Sequence, residues 1–91
     1  MRLEDSPLNQ NYAVGLLLYL KRKGESSISG LTPDVCKNYR TVRDLVDDLK
    51  EAGFVKINKQ YSPVRKFTVA LTERGQKTAE KLFEIEEIME E

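Results

Sequence analysis

The stretch Phe54-Val-Lys-Ile-Asn-Lys-Gln-Tyr-Ser-Pro-Val-Arg-Lys-Phe-Thr-Val-Ala-Leu71 reads as two β-strands joined by a loop. Val55 and Ile57 alternate onto one face of the first strand, and Phe67, Val69 and Leu71 onto one face of the second. A period of two in β-branched and aromatic residues marks half-buried strands, and Tyr61-Ser62-Pro63 supplies turn chemistry between them. The hairpin also carries Lys56, Lys59, Arg65 and Lys66 and no acidic residue. A hairpin that only closed a core would have little use for that imbalance.

The imbalance stands out because the chain as a whole is neutral, with 15 Lys/Arg and 15 Asp/Glu among 91 residues. Residues 1–70 hold 12 basic and 8 acidic side chains, whereas residues 71–91 hold 3 and 7. A basic body with an acidic tail points to an anionic partner more than the mean charge does. Forty per cent hydrophobic and 33% charged residues describe a globular chain of one domain, residues 1–91. No apolar run approaches the roughly 18 residues of a membrane span, and the N-terminus lacks the order of a secretory signal, so a cytoplasmic protein is expected. The single Cys36 forms no internal disulfide and is read as a small core residue rather than a redox switch.

Upstream of the hairpin, Val42, Leu45, Val46 and Leu49 recur at i, i+3, i+4 and i+7, which predicts a helix over about 40–52 with Gly53 as its stop. Before it, Thr32-Pro33-Asp34 predicts a short helix with Thr32 as N-cap and Pro33 at the first position, and Leu31 stapled onto Cys36. That helix is expected to end near Lys37 or Asn38, and Ser26–Gly30 to hold a brief edge strand. Leu8–Lys23 reads as a helix that is apolar nearly all round, with Lys21, Arg22 and Lys23 suited to its C-terminus. Residues 1–7 carry no pattern and are expected to form a flexible arm. Downstream, Thr72 caps a last helix running from Glu73 to about Glu90. The order is helix, small strand, short helix, helix, strand, loop, strand, helix. This is an α+β winged helix-turn-helix: a three-helix core, a β-hairpin wing and an additional C-terminal helix.

The residues Ile28-Ser-Gly-Leu31, Thr41-Val42-Arg43, Val46 and Leu49-Lys-Glu-Ala-Gly53-Phe-Val55 resemble the recognition region of small winged-helix transcription regulators of the MarR, ArsR and PadR type. Val69-Ala-Leu71-Thr72-Glu-Arg-Gly75 looks like the Leu-Thr-x-x-Gly that ends their wing and opens the final helix. The resemblance covers roughly residues 12–90. It departs at Pro33, which falls where those proteins have the interior of their second helix, and at Lys37, near the turn, where they more often have an apolar residue. The resemblance implies sequence-specific binding of double-stranded DNA, usually as a homodimer, without catalysis.

In that frame the 40–52 helix enters the major groove by its first turns, with Tyr39, Arg40, Thr41 and Arg43 as the contacts. Arginine offers two donors to guanine, which suits Arg40 and Arg43. The competing use of these two is pairing with Asp44 and Asp47, each four positions on. The wing, residues 59–66, would lie on the backbone or in the minor groove through Lys59, Gln60, Tyr61, Arg65 and Lys66. As a plain edge hairpin its lysines would only deter strand pairing. Tyr12, Leu16 and Tyr19 of the first helix, with Leu82, Ile85 and Met89 of the last (residues 73–90), are expected to form a homodimer interface. No cofactor, metal or membrane partner is expected, and the lack of histidine, phosphate loop or clustered cysteines argues against an enzyme. The alternative function is a winged helix used for protein contact in an assembly or transcription-machinery complex.

Overall fold

A computed structural model describes all 91 residues, Met1–Glu91. Two single 3-10 turns, Leu3–Asp5 and Pro7–Asn9, precede α1 (Ala13–Lys23), α2 (Ile28–Val35), α3 (Tyr39–Glu51), β1 (Val55–Gln60), β2 (Lys66–Leu71) and α4 (Glu73–Met89). The architecture is α+β, four helices with a two-stranded antiparallel hairpin, as the sequence predicts.

α3 follows its periodicity closely. Val42, Leu45, Val46 and Leu49 are all buried, and truncating a leucine so placed costs about 2–5 kcal/mol. Asn38 caps its start by accepting from the Thr41 amide at 3.2 Å. At its end Gly53 takes φ +86, its N–H donates to the Lys50 carbonyl at 3.0 Å and that of Phe54 to Leu49 at 2.9 Å. This pair of bonds satisfies the last carbonyls of the helix and turns the chain directly into β1.

The hairpin register pairs Val55 with Leu71, Ile57 with Val69, and Lys59 with Phe67. Its base is core, since Val55, Val69 and Leu71 are buried, and its tip projects free. The expected edge strand shrinks to one bridge, Ser26 to Val69, with backbone bonds of 3.1 and 2.7 Å.

α2 departs most from expectation. It begins at Ile28, with Ser27 accepting from the Gly30 amide at 3.0 Å, so Thr32 is an interior residue and not the cap. Thr32 donates instead to the Ile28 carbonyl at 2.8 Å, and Leu31 is a buried helical residue rather than a staple on Cys36. Pro33 therefore lies inside the helix, as the family resemblance implies, and the helix survives only two residues beyond it, ending at Val35. Burying Leu31, with Ile28 and Val35 packed on the same core, offsets the backbone bond that proline cannot donate.

α1 starts at Ala13 rather than Leu8, because Tyr12 sits at φ 71 in the left-handed region and interrupts the helix. Residues 3–9 are not a patternless arm but two turns in which Ser6 is buried and caps the second through the Leu8 amide at 3.2 Å. α1 is the central helix of the domain, touching the Pro7–Asn9 turn, α2, α4 and β2.

Candidate nucleic-acid interface

The first two turns of α3 present Tyr39, Arg40, Thr41 and Arg43 to solvent, outside its buried stripe. Tyr39 is 49% exposed. The four-residue pairs Arg40–Asp44 and Arg43–Asp47 do not form. Arg43 instead reaches Asp44 at 3.5 Å, both half-exposed, and Arg40 has no ion pair. Exposed contacts of that length contribute little, so these guanidinium groups can exchange partners at small cost. Further along, Asp48 accepts from Gln10 Nε2 at 2.9 Å, which ties the acidic part of α3 to the N-terminal turns.

Sequence inspection missed the groove beside Tyr39. Ser29, Thr32 and Pro33 of α2, Lys37 of the turn and Tyr39 line a concavity of about 410 Å³. The signal was present in Lys37, which lies between two helices where the family more often has an apolar residue. It is exposed here, and Val35 and Cys36 turn partly inward in its stead.

The wing brings Lys59, Gln60, Tyr61, Arg65 and Lys66 together at one exposed tip. Gln60 Nε2 donates to the Ser62 carbonyl at 3.0 Å and so closes the loop rather than remaining free. None of the four hairpin cations lies within ion-pair distance of a carboxylate. Glu25, absent from the sequence-derived set, stands against the hairpin and accepts from the Asn58 side chain. The Asn58 amide, then the Thr68 hydroxyl and the Lys66 and Lys56 charges, hold its carboxyl below the ordinary glutamate value.

The six residues expected at a dimer interface divide. Leu16 has no exposed surface, because its face of α1 packs into its own domain, and it is removed from the set. Tyr19 and Leu82 are half-buried against the core. Partial burial and the Asp34 carboxylate raise the Tyr19 phenol above its ordinary value. Tyr12, Ile85 and Met89 are exposed, the last two at 50% and 79%, and Val14 and Ile88 join them as exposed apolar residues. Lys21, Arg22 and Lys23, read as dipole partners of α1, prove to differ. Lys21 bonds Gln76 at 2.9 Å, and Arg22 bonds both oxygens of Glu86 at 2.8 and 3.1 Å while stacking on Phe83, so two of them hold α4.

No group of three or more His, Cys, Asp or Glu side chains is arranged to hold a metal ion, and no helix is long and apolar enough to cross a membrane. No protein-family model and no curated protein matches the sequence. Solved structures do. A transcriptional regulator homologue from Pyrococcus horikoshii aligns with TM-score 0.75 at 16% identity, over 92% of this chain and 85% of its own. BpsR of Bordetella bronchiseptica, whose DNA binding is regulated by 6-hydroxynicotinic acid, aligns with TM-score 0.74 at 22% identity, over 86% of this chain. A MarR family protein from Bacillus stearothermophilus gives 0.73 at 23% identity, over 90% of this chain. The chain spans 56% of the length of each of the latter two. At such identities the likeness is one of fold, and the fold of this chain is the winged helix that these regulators share.

Proposed function

We propose that this chain is a transcription regulator that binds double-stranded DNA sequence-specifically as a homodimer. α3 enters the major groove through Tyr39, Arg40, Thr41 and Arg43, and the wing rests on flanking phosphates or in the minor groove. The observation that carries this is the coincidence of two exposed surfaces on a winged-helix frame. One is the first two turns of α3, with two arginines held by no strong partner; the other is a hairpin of four cations without an ion pair. BpsR, similar in fold, is a DNA-binding protein, which supports the same use here. Phosphate contacts set register, and base-edge contacts from α3 read sequence. Two copies related by a two-fold axis would address a pseudo-palindromic site.

Fluorescence anisotropy with random duplex DNA across a salt series tests this directly, comparing wild type with Arg65→Ala/Lys66→Ala. Affinity is expected to fall steeply with salt, with a slope reduced by roughly one to two in the double variant. Absence of binding at low salt would overturn the proposal.

A further inference from the structure

The hairpin has two chemically different faces, and its four cations meet different neighbours: Arg65 and Lys59 the Phe67 ring, Lys66 and Lys56 the charge of Glu25. On one face the register stacks Val55 with Leu71, Ile57 with Val69, and Lys59 with Phe67. Near the base these side chains belong to the core. At the tip no helix reaches over, and Phe67 remains 39% exposed. Its ring is covered by cations: Arg65 Cζ lies 4.9 Å from the ring centroid and Lys59 Nζ 5.7 Å, with Tyr61 edge-on at 5.9 Å. Glu25, Asn58, Gln60, Lys66 and Thr68 line a recess on the opposite face, which Lys59 also borders, and the charges that bear on the Glu25 carboxylate are those of Lys66 and Lys56.

We propose that Phe67 positions Arg65 and Lys59 as the phosphate-contacting pair of the wing, an inference that rests on the duplex-binding function proposed above. An aromatic face attracts a cation through its quadrupole and leaves the charge unneutralised, whereas a carboxylate would cancel it. Two long side chains are thereby restricted before DNA arrives, which lowers the ordering cost of contact. Lys66, opposed by Glu25, adds less to binding than either Arg65 or Lys59. The low proton affinity of Glu25, caused in part by Lys66, agrees with that division. The competing account is that Arg65 and Lys59 only shield an exposed ring.

Side-chain NMR of the DNA-free wild type gives the first readout. Arg65 δ and Nε protons are expected upfield through the ring current, unchanged in Phe67→Tyr and relaxed to ordinary positions in Phe67→Leu. Duplex affinity gives the second. Phe67→Leu is expected to bind about three- to ten-fold more weakly and Phe67→Tyr within about two-fold of wild type, in proportion to the cation–π contribution. Mere shielding predicts the NMR shifts with no loss of affinity in Phe67→Leu, and that result would overturn the proposal. Ordinary Arg65 shifts in the wild type would overturn it without recourse to any variant. If the wild type binds no duplex, the function proposed above fails; if it binds and Phe67→Leu matches it in affinity and salt slope, only the assignment to Phe67 fails.

Discussion

Gly75 occupies a position where a side chain does not fit. A Cβ there would stand 2.0 Å from the Phe54 carbonyl oxygen, a backbone atom that cannot swing aside. The reason is a tight junction between the end of α3 and the start of α4. Thr72 Oγ1 donates to the Gly53 carbonyl at 2.5 Å and accepts from the Gly75 amide at 3.1 Å. Arg74 Nη1 donates to the Ala52 carbonyl at 2.8 Å and so caps α3 from outside. Gly75→Ala is expected to lower stability by about 1–3 kcal/mol, measured by denaturant unfolding. An unchanged midpoint would mean that the two helices do not meet so closely. The Leu71-Thr72-x-x-Gly75 pattern was legible in the sequence, whereas its purpose was not, because the obstructing atom belongs to Phe54, 21 positions earlier. Tyr12 shows the reverse case. Its left-handed backbone ends the apparent helical run, and no local residue type announces it.

At the scale of elements, the wing is held to the body by the segment before α2. The Ser26–Val69 bridge and the bond from Asn58 to Glu25 join it to that segment. The Glu25 carboxyl is depressed in the folded state. A group so shifted stabilises the fold in full above its unfolded value and loses that contribution as pH falls through the folded one. The loss therefore begins below about pH 4.5 and completes below the lowered folded value. A pH titration followed by NMR at Glu25 should show a pKa under the ordinary glutamate value in wild type. Asn58→Ala should bring it back up, since the Asn58 amide is the largest cause. An ordinary value in the wild type would show that the brace is not formed in solution. α2 makes the complementary point about elements. Thr32-Pro33-Asp34 is a good local start signal, yet Ser27 begins the helix, and the earlier start makes the buried Leu31 a helical residue.

Seen whole, the molecule measures 47 × 26 × 26 Å, an elongated shape for 91 residues. Only Gly75 and Ala79 of α4 are buried, so its distal turns carry Ile85, Ile88 and Met89 without cover from this chain. Beside them a groove of about 470 Å³, lined by Leu3, Leu8, Val14 and Leu82 among others, continues the apolar surface. A second copy is the proposed cover. Wild type is accordingly expected to show twice its 10.5 kDa mass in sedimentation, with a thermal midpoint that rises with concentration. Ile85→Glu/Met89→Glu should sediment as a monomer whose midpoint is independent of concentration. A wild type that stays monomeric at high concentration would overturn the dimer.

The sequence by itself determined the winged-helix order, the buried stripe of α3, the register-bearing alternation of the hairpin and the concentration of cations at its tip. These follow from short-range periodicity and from capping and turn residues, whose preferences act within a few positions. Tertiary structure alone decided where α2 begins, that Leu16 is spent inside its own domain, and why Gly75 bears no side chain. It alone also brought Arg65 and Lys59 over the Phe67 ring and Glu25 against the hairpin. Each of these outcomes depends on atoms far apart in the chain, and burial or close approach at such distances outweighs local preference.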